Sequence, residues 1–232
     1  MKKRSKSASF LGFFTVLLCF FLTGCLGQTE INDFSIISGA ALDYSTETGE
    51  YTVTAEVATR FPDAPEGEPE LQIIKGKGKT FQEAVQQMQD QKGKQTYWSH
   101  AQVLLFSQNS ASAFESTLDY LIFESDMRLS VDLIVLDLPQ ASDFWNLKPG
   151  STGIHAFDLE EMLASAKNRT LVPRMKAFQA YEILNGQNQP LLLPCLSAEE
   201  NTPVFSSPIQ YQDGAFHVVK SRSAPNSEKG NK

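Results

Sequence analysis

Two runs, Ala101-Gln102-Val103-Leu104-Leu105-Phe106 and Val131-Asp132-Leu133-Ile134-Val135-Leu136, bracket the stretch that decides the fold. Each is short, apolar and rich in branched residues, as expected of a buried strand. Between them Ser112 and Glu115 have the spacing of a capping box, and Phe114, Leu118, Leu121 and Ile122 give the buried stripe of a helix. Strand, helix and strand in that order imply parallel strands joined by a right-handed crossover.

Upstream, Thr80-Phe81-Gln82-Glu83 is a second capping-box pattern. Phe81, Ala84, Val85 and Met88 follow it at the spacing of an amphipathic helix, which Lys92-Gly93-Lys94 ends. Before that helix, Leu71 to Ile74 reads as a strand and residues 61–69 as an acidic, Pro-rich loop. Tyr51-Thr52-Val53-Thr54-Ala55-Glu56-Val57 alternates and predicts a half-buried strand. Phe34 to Leu42 predicts a strand buried on both faces, joined to the next by the turn Thr46–Glu50 as an antiparallel hairpin. The expected architecture is α/β of the mixed α+β kind. A mixed sheet with an antiparallel flank, over residues 25–139, carries helices packed on it.

A smaller, mostly helical unit with some strand is expected over residues 140–220. Asp158 is placed to cap a helix with Glu161 at its third position and Leu159, Met162, Leu163 and Ala166 inward. Pro173 is placed to open another, with Met175, Phe178 and Tyr181 inward and Asn185-Gly186 at its end. Leu191–Leu193 and Ala215–Val219 are short apolar runs, and residues 221–232 read as a disordered tail.

The chain has 232 residues, 41% of them hydrophobic and 20% charged, which is globular composition. Its net charge of −7 leaves no electrostatic footprint for nucleic acid. The N-terminus is the exception to this acidity. Lys2, Lys3, Arg4 and Lys6 precede an apolar run from Phe10 to Leu22. As a helix that run spans about 20 Å, short of a ~30 Å hydrocarbon core, so residues 1–24 read as a signal peptide. It closes on Leu22-Thr23-Gly24-Cys25, an aliphatic residue, two small residues and a Cys. This looks like a bacterial lipobox, in which Cys25 takes diacylglycerol through a thioether and becomes the new N-terminus. Two acyl chains give a stable anchor where one gives marginal binding. The mature chain then carries 16 basic and 27 acidic side chains, net −11. Cys19 leaves with the signal, so Cys195 has no intrachain partner, and Leu191-Leu192-Leu193-Pro194-Cys195-Leu196 suggests a buried structural thiol.

An ordered set of short motifs follows the lipobox. It runs Glu30-Ile31-Asn32-Asp33, Gly39-Ala40-Ala41-Leu42-Asp43, Tyr51-Thr52-Val53 and Gly78-Lys79-Thr80 with Glu83-Ala84. Tyr97-Trp98-Ser99-His100-Ala101-Gln102-Val103, Leu118-Asp119, Asp126-Met127-Arg128-Leu129 and Leu193-Pro194 complete it. Over residues 22–195 the chain resembles the Ger(x)C family, the lipoprotein C subunits of spore germinant receptors. Leu26-Gly27 stands where members usually carry Trp-Asp, and the large C-terminal domain typical of members is expected to be missing beyond Lys232. The resemblance implies a lipid-anchored subunit on the outer face of the cytoplasmic (spore inner) membrane, assembled with integral-membrane A and B subunits.

Motifs that invite enzymatic readings are weak. Gly76-Lys77-Gly78-Lys79-Thr80 suggests a phosphate loop, but Ile73 stands where that loop requires its first Gly. A strand-to-helix turn capped by Thr80 accounts for it. His100, His155 and His217 lack the spacing of a zinc site, and no Gly-x-Ser-x-Gly occurs. No enzyme, cofactor or metal is expected. Arg128, Trp98 and His100 are the candidate interface residues, weighed against a salt bridge for Arg128 and core packing for Trp98 and Trp145. The alternative function is a solute-binding envelope lipoprotein.

Overall fold

A computed structural model of the chain describes residues 34–58, 71–92, 95–167, 172–186 and 189–219. The predicted signal peptide, Cys25, the loop 61–69 and the tail 221–232 lie outside the described residues.

Strands β1 (Phe34–Ser45), β2 (Glu50–Ala58) and β3 (Leu71–Gly78) form the antiparallel flank. Helix α1 (Phe81–Lys92) leads through the short β4 (Gln95–Tyr97) to β5 (Val103–Ser107). A 3-10 segment (Gln108–Ala113) and helix α2 (Phe114–Phe123) lead to β6 (Asp132–Leu136). A second 3-10 segment (Ala141–Asn146) precedes helices α3 (His155–Lys167) and α4 (Ala177–Leu184). Five short strands follow: β7 (Leu191–Leu193), β8 (Cys195–Glu199), β9 (Thr202–Phe205), β10 (Ile209–Gln212) and β11 (Ala215–Val218).

The main sheet runs β3-β2-β1-β5-β6-β8-β9, with β4 paired to the start of β1. The junctions β1–β5, β5–β6 and β6–β8 are parallel and the flanks antiparallel, so the mixed α+β sheet expected from the sequence is present. After two helices the chain returns to this sheet beyond position 140, where β8 and β9 extend it. β7, β10 and β11 make a separate three-stranded sheet.

Alternation along the central strands sorts their side chains into two cores. Leu104, Phe106, Leu133 and Val135 point to the face covered by α1, α2, α4 and the small sheet. Val103, Leu105, Ile134 and Leu136 point to the face covered by α3 and the second 3-10 segment. Both faces are thus dry, which is why these strands read as unbroken apolar runs.

Four local expectations are corrected. Strand β2 is not half-buried: Thr54 and Glu56, on its supposed solvent face, lie beneath the α3 side of the sheet. Ser112 caps nothing, because the chain first makes a 3-10 turn and α2 starts at Phe114 with no side-chain cap. Asp158 lies inside the first turn of α3 rather than before it. Pro173 opens no helix: residues 173–176 run beside β6, with Lys176 bridged to Asp132, and α4 starts at Ala177. That shift turns Ala177 and Ala180 inward and leaves Phe178 exposed.

Candidate functional site

Two of the three sequence-selected interface residues come together on the surface. Strands β1, β5 and β6 are parallel, so their N-terminal ends share one edge of the sheet. The turns feeding β5 and β6 carry His100 and Arg128. Arg128 Nη2 donates to Gln102 Oε1 at 2.8 Å, Gln102 Nε2 donates to the His100 carbonyl at 2.9 Å, and Ser99 Oγ donates to the Asp126 carbonyl. The His100 ring lies 5.6 Å from that of Tyr97. Arg128 makes no salt bridge among the described residues; its guanidinium braces one turn against the other. Trp98 is 4% exposed, packs near Phe81 and donates from Nε1 to Thr96 Oγ1, so it supports this edge from within. Trp145 is core as well, its Nε1 donating to Thr54 Oγ1 at 3.0 Å.

The sequence reading missed the polar centre of the opposite core. Glu56, fully buried on β2, accepts four hydrogen bonds. Ser38 Oγ donates at 2.7 Å, His155 Nδ1 at 2.8 Å, and the backbone N–H groups of His155 and Ala156 at 3.0 and 3.1 Å. An acceptor-only carboxylate satisfies all four and sits where the positive end of α3 favours negative charge. His155 Nε2 faces the Leu147 carbonyl at 2.9 Å, so both ring nitrogens meet acceptors, which calls for the doubly protonated ring. Burial opposes that charge, but hydrogen bonds to Glu56 and Leu147 and the nearby carboxylates of Glu56 and Asp158 raise the pKa. Phe144 and Trp145 flank the ring edge-on at 5.8 and 6.0 Å.

The motif glycine and aspartate of Gly39-Ala40-Ala41-Leu42-Asp43 serve this packing. A Cβ on Gly39 would stand 2.8 Å from the Ala156 Cβ, so Gly39 lets the start of α3 reach Glu56. Asp43 accepts the Ala141 and Ser142 N–H groups and caps the second 3-10 segment. Asp158 reaches back to the N–H groups of Gly150 and Thr152 and fixes the loop before α3.

An open cleft of about 800 Å³ lies between α3, residues 148–151 and β9, with His155, Asp158, Met162 and Phe205 on its walls. The ring nitrogens of His155 and both carboxylate oxygens of Asp158 are already bonded within the chain, which leaves the cleft mainly apolar contacts and exposed rim groups such as Lys148 and Glu161. Asp132, also buried, is held by a bidentate Arg174 at 2.7 and 2.9 Å and by Lys176. Glu160 and Asp132 together raise the Arg174 pKa, the Asp132 hydrogen bond most of all. Among the described residues no three His, Cys, Asp or Glu side chains are grouped to hold a metal.

The Gly76–Thr80 turn is structural. Thr80 Oγ1 accepts the Glu83 N–H, and Glu83 Oε2 accepts the Lys79 N–H. A Cβ on Gly76 would stand 2.0 Å from the Ala84 carbonyl oxygen, so these glycines let α1 lie directly on β3. Cys195 is buried and free, as its apolar sequence setting suggested.

No curated protein and no solved structure matches the chain. The sequence model described as the spore germination protein N-terminal domain matches residues 27–198. That span covers β1 through most of β8, including the Glu56–His155 centre and the His100–Arg128 edge. With most of its length so matched, the chain belongs to the spore germination protein family, residues 27–198 being its N-terminal domain.

Proposed function

We propose that the chain is a non-enzymatic lipoprotein subunit of a spore germinant receptor, held on the outer face of the cytoplasmic (spore inner) membrane by acylated Cys25 and assembled with integral-membrane A and B subunits. The family assignment carries this reading. The lipobox at residues 22–25 supports the anchor. The inward titratable groups support a structural rather than chemical role, because Glu56, His155, Asp158 and Asp132 spend their polar atoms on holding helices and turns in place. Confinement to a surface raises the effective concentration of the partners, so a modest protein contact suffices for assembly.

The test is germination of spores lacking the gene, followed by dipicolinate release against amino acids, sugars and nucleosides. Loss of response to a subset of germinants, restored by wild type but not by Cys25→Ala, is expected. An unchanged response to every germinant would count against the receptor reading.

A second reading, a solute-binding envelope lipoprotein, is favoured by the cleft beside α3, whose volume suits a small ligand. Calorimetric titration of the protein with the same germinants separates the two. Saturable binding that Met162→Trp abolishes supports the solute binder.

A further inference from the structure

Among the described residues six large hydrophobic side chains are exposed, and four of them, Tyr97, Phe123, Leu129 and Phe178, lie around one end of the sheet. They form a connected surface. The Phe178 N–H donates to the Leu129 carbonyl, and Tyr181, one turn further along α4, stacks edge-on with Phe123 at 5.6 Å. Leu129 adjoins Arg128, which leads through Gln102 to His100 and the Tyr97 ring. Phe123 is 67% and Leu129 44% exposed, and apolar side chains grouped in this way mark an interaction surface rather than scatter.

The start of the body's chain lies at the same end. Strand β1 runs several residues beyond the start of β5, Ile36 pairs with Tyr97, and Phe34 is the first residue of the strand. Eight residues lie between Cys25 and Phe34, and the nine Cα–Cα steps span at most about 32 Å when fully extended. A compact body of roughly 200 residues is about 40 Å across. An acylated Cys25 therefore puts this end within reach of the bilayer and the opposite one beyond it.

We infer that this end of the sheet docks on the lipid surface, with Phe123, Leu129 and Phe178 entering the boundary between headgroups and acyl chains. The inference rests on the lipid anchor at Cys25. Charge is not the driver, because Lys176 is paired with Asp132 and the exposed Arg128 is outnumbered by the exposed Glu124 and Asp126. The contact is apolar and insensitive to salt. It makes the protein a second, weaker membrane signal beside the acyl chains and fixes which way the cleft beside α3 faces.

The experiment places a nitroxide on the full lipidated protein in vesicles of phosphatidylglycerol and phosphatidylethanolamine. Single variants Phe123→Cys, Leu129→Cys and Phe178→Cys are compared with Ile73→Cys and Val218→Cys, exposed apolar positions elsewhere. Cys195 is buried and Cys25 acylated, so the introduced thiol takes the label. Labels at 123, 129 and 178 are expected to lose access to an aqueous relaxation agent and gain access to oxygen, while those at 73 and 218 stay aqueous. Vesicle-bound protein with all five labels equally aqueous overturns the inference and leaves the anchor standing. Protein that does not float with the vesicles overturns both. Protection at 123, 129 and 178 that appears only in membranes containing the A and B subunits overturns it in favour of a protein contact.

Discussion

Glu56 and His155 stand 99 residues apart along the chain, and their side chains meet at 2.8 Å in the core. The pair joins the antiparallel flank of the sheet to the start of α3, a connection no apolar contact would place so specifically. Breaking such a pair from one side leaves a buried charge unmatched. Glu56→Ala is expected to cost about 3–5 kcal/mol of folding stability, read from urea unfolding.

The same pair sets a pH dependence. The folded pKa of His155 lies above its ordinary value of 6.5, against burial, because Glu56 and the Leu147 carbonyl favour the charged ring. A group whose pKa rises on folding binds its proton more tightly in the native state. Its contribution is complete below about pH 6.5 and is lost as the pH climbs through the folded value. The urea midpoint is therefore expected to fall from about pH 6.5 upward in the wild type. The His155→Gln protein should lack that part of the slope, and parallel profiles for the two proteins would contradict the charged pair.

Gly76 makes a prediction of a different kind. Its missing Cβ is what allows the Ala84 carbonyl to lie against β3. Backbone cannot swing aside as a flexible side chain can, so Gly76→Ala must lift α1 from the sheet. The expected loss is about 1–3 kcal/mol, measured as a lower midpoint of thermal or urea unfolding. Gly186→Ala is the control, since a Cβ there meets nothing within 4 Å.

The sheet was legible because its signals are local. The apolar runs at 101–106 and 131–136, the alternation at 51–57 and the stripe of α1 each declare an element within a few residues. The polar centre was not legible, because Glu56 on an alternating strand looks like a solvent-facing residue until α3, a hundred positions later, covers it. His155 showed no partner spacing for the same reason. Helix starts failed where a competing local structure intervened. A 3-10 turn displaced the Ser112 cap, and the Asp132 carboxylate held Arg174 and Lys176 in an extended segment where Pro173 suggested a helix. Of the surface candidates, sequence alone distinguished neither Trp98 from His100 nor core from edge.

Cys195 should be chemically silent in the folded protein. It is 2% exposed, and burial, its largest influence, pushes the thiol pKa up. The thiolate is the reactive form, so both access and ionisation are reduced. A disulfide reagent is expected to label it only as fast as the native structure opens, with the rate rising sharply as urea is added. Rapid stoichiometric labelling in native buffer would show that β8 separates from β6 far more readily than its buried position implies.

Arg128 separates stability from assembly. Its guanidinium is exposed and, among the described residues, it bonds the Gln102 side chain, so truncation removes little from the fold. Arg128→Ala is expected to change folding stability by less than about 0.5 kcal/mol, the usual range for surface substitutions. If the His100–Arg128 edge contacts the A and B subunits, the same variant lowers their co-purification from detergent-solubilised spore membranes. An Arg anchor at an interface centre typically costs more than about 1 kcal/mol, roughly a fivefold loss or greater in affinity. Arg128→Lys keeps the charge but not the planar fork, so it should recover little if geometry matters and most if charge alone does. A variant of normal stability and normal co-purification would place the partner contact elsewhere on the molecule and leave Arg128 as a brace between two turns.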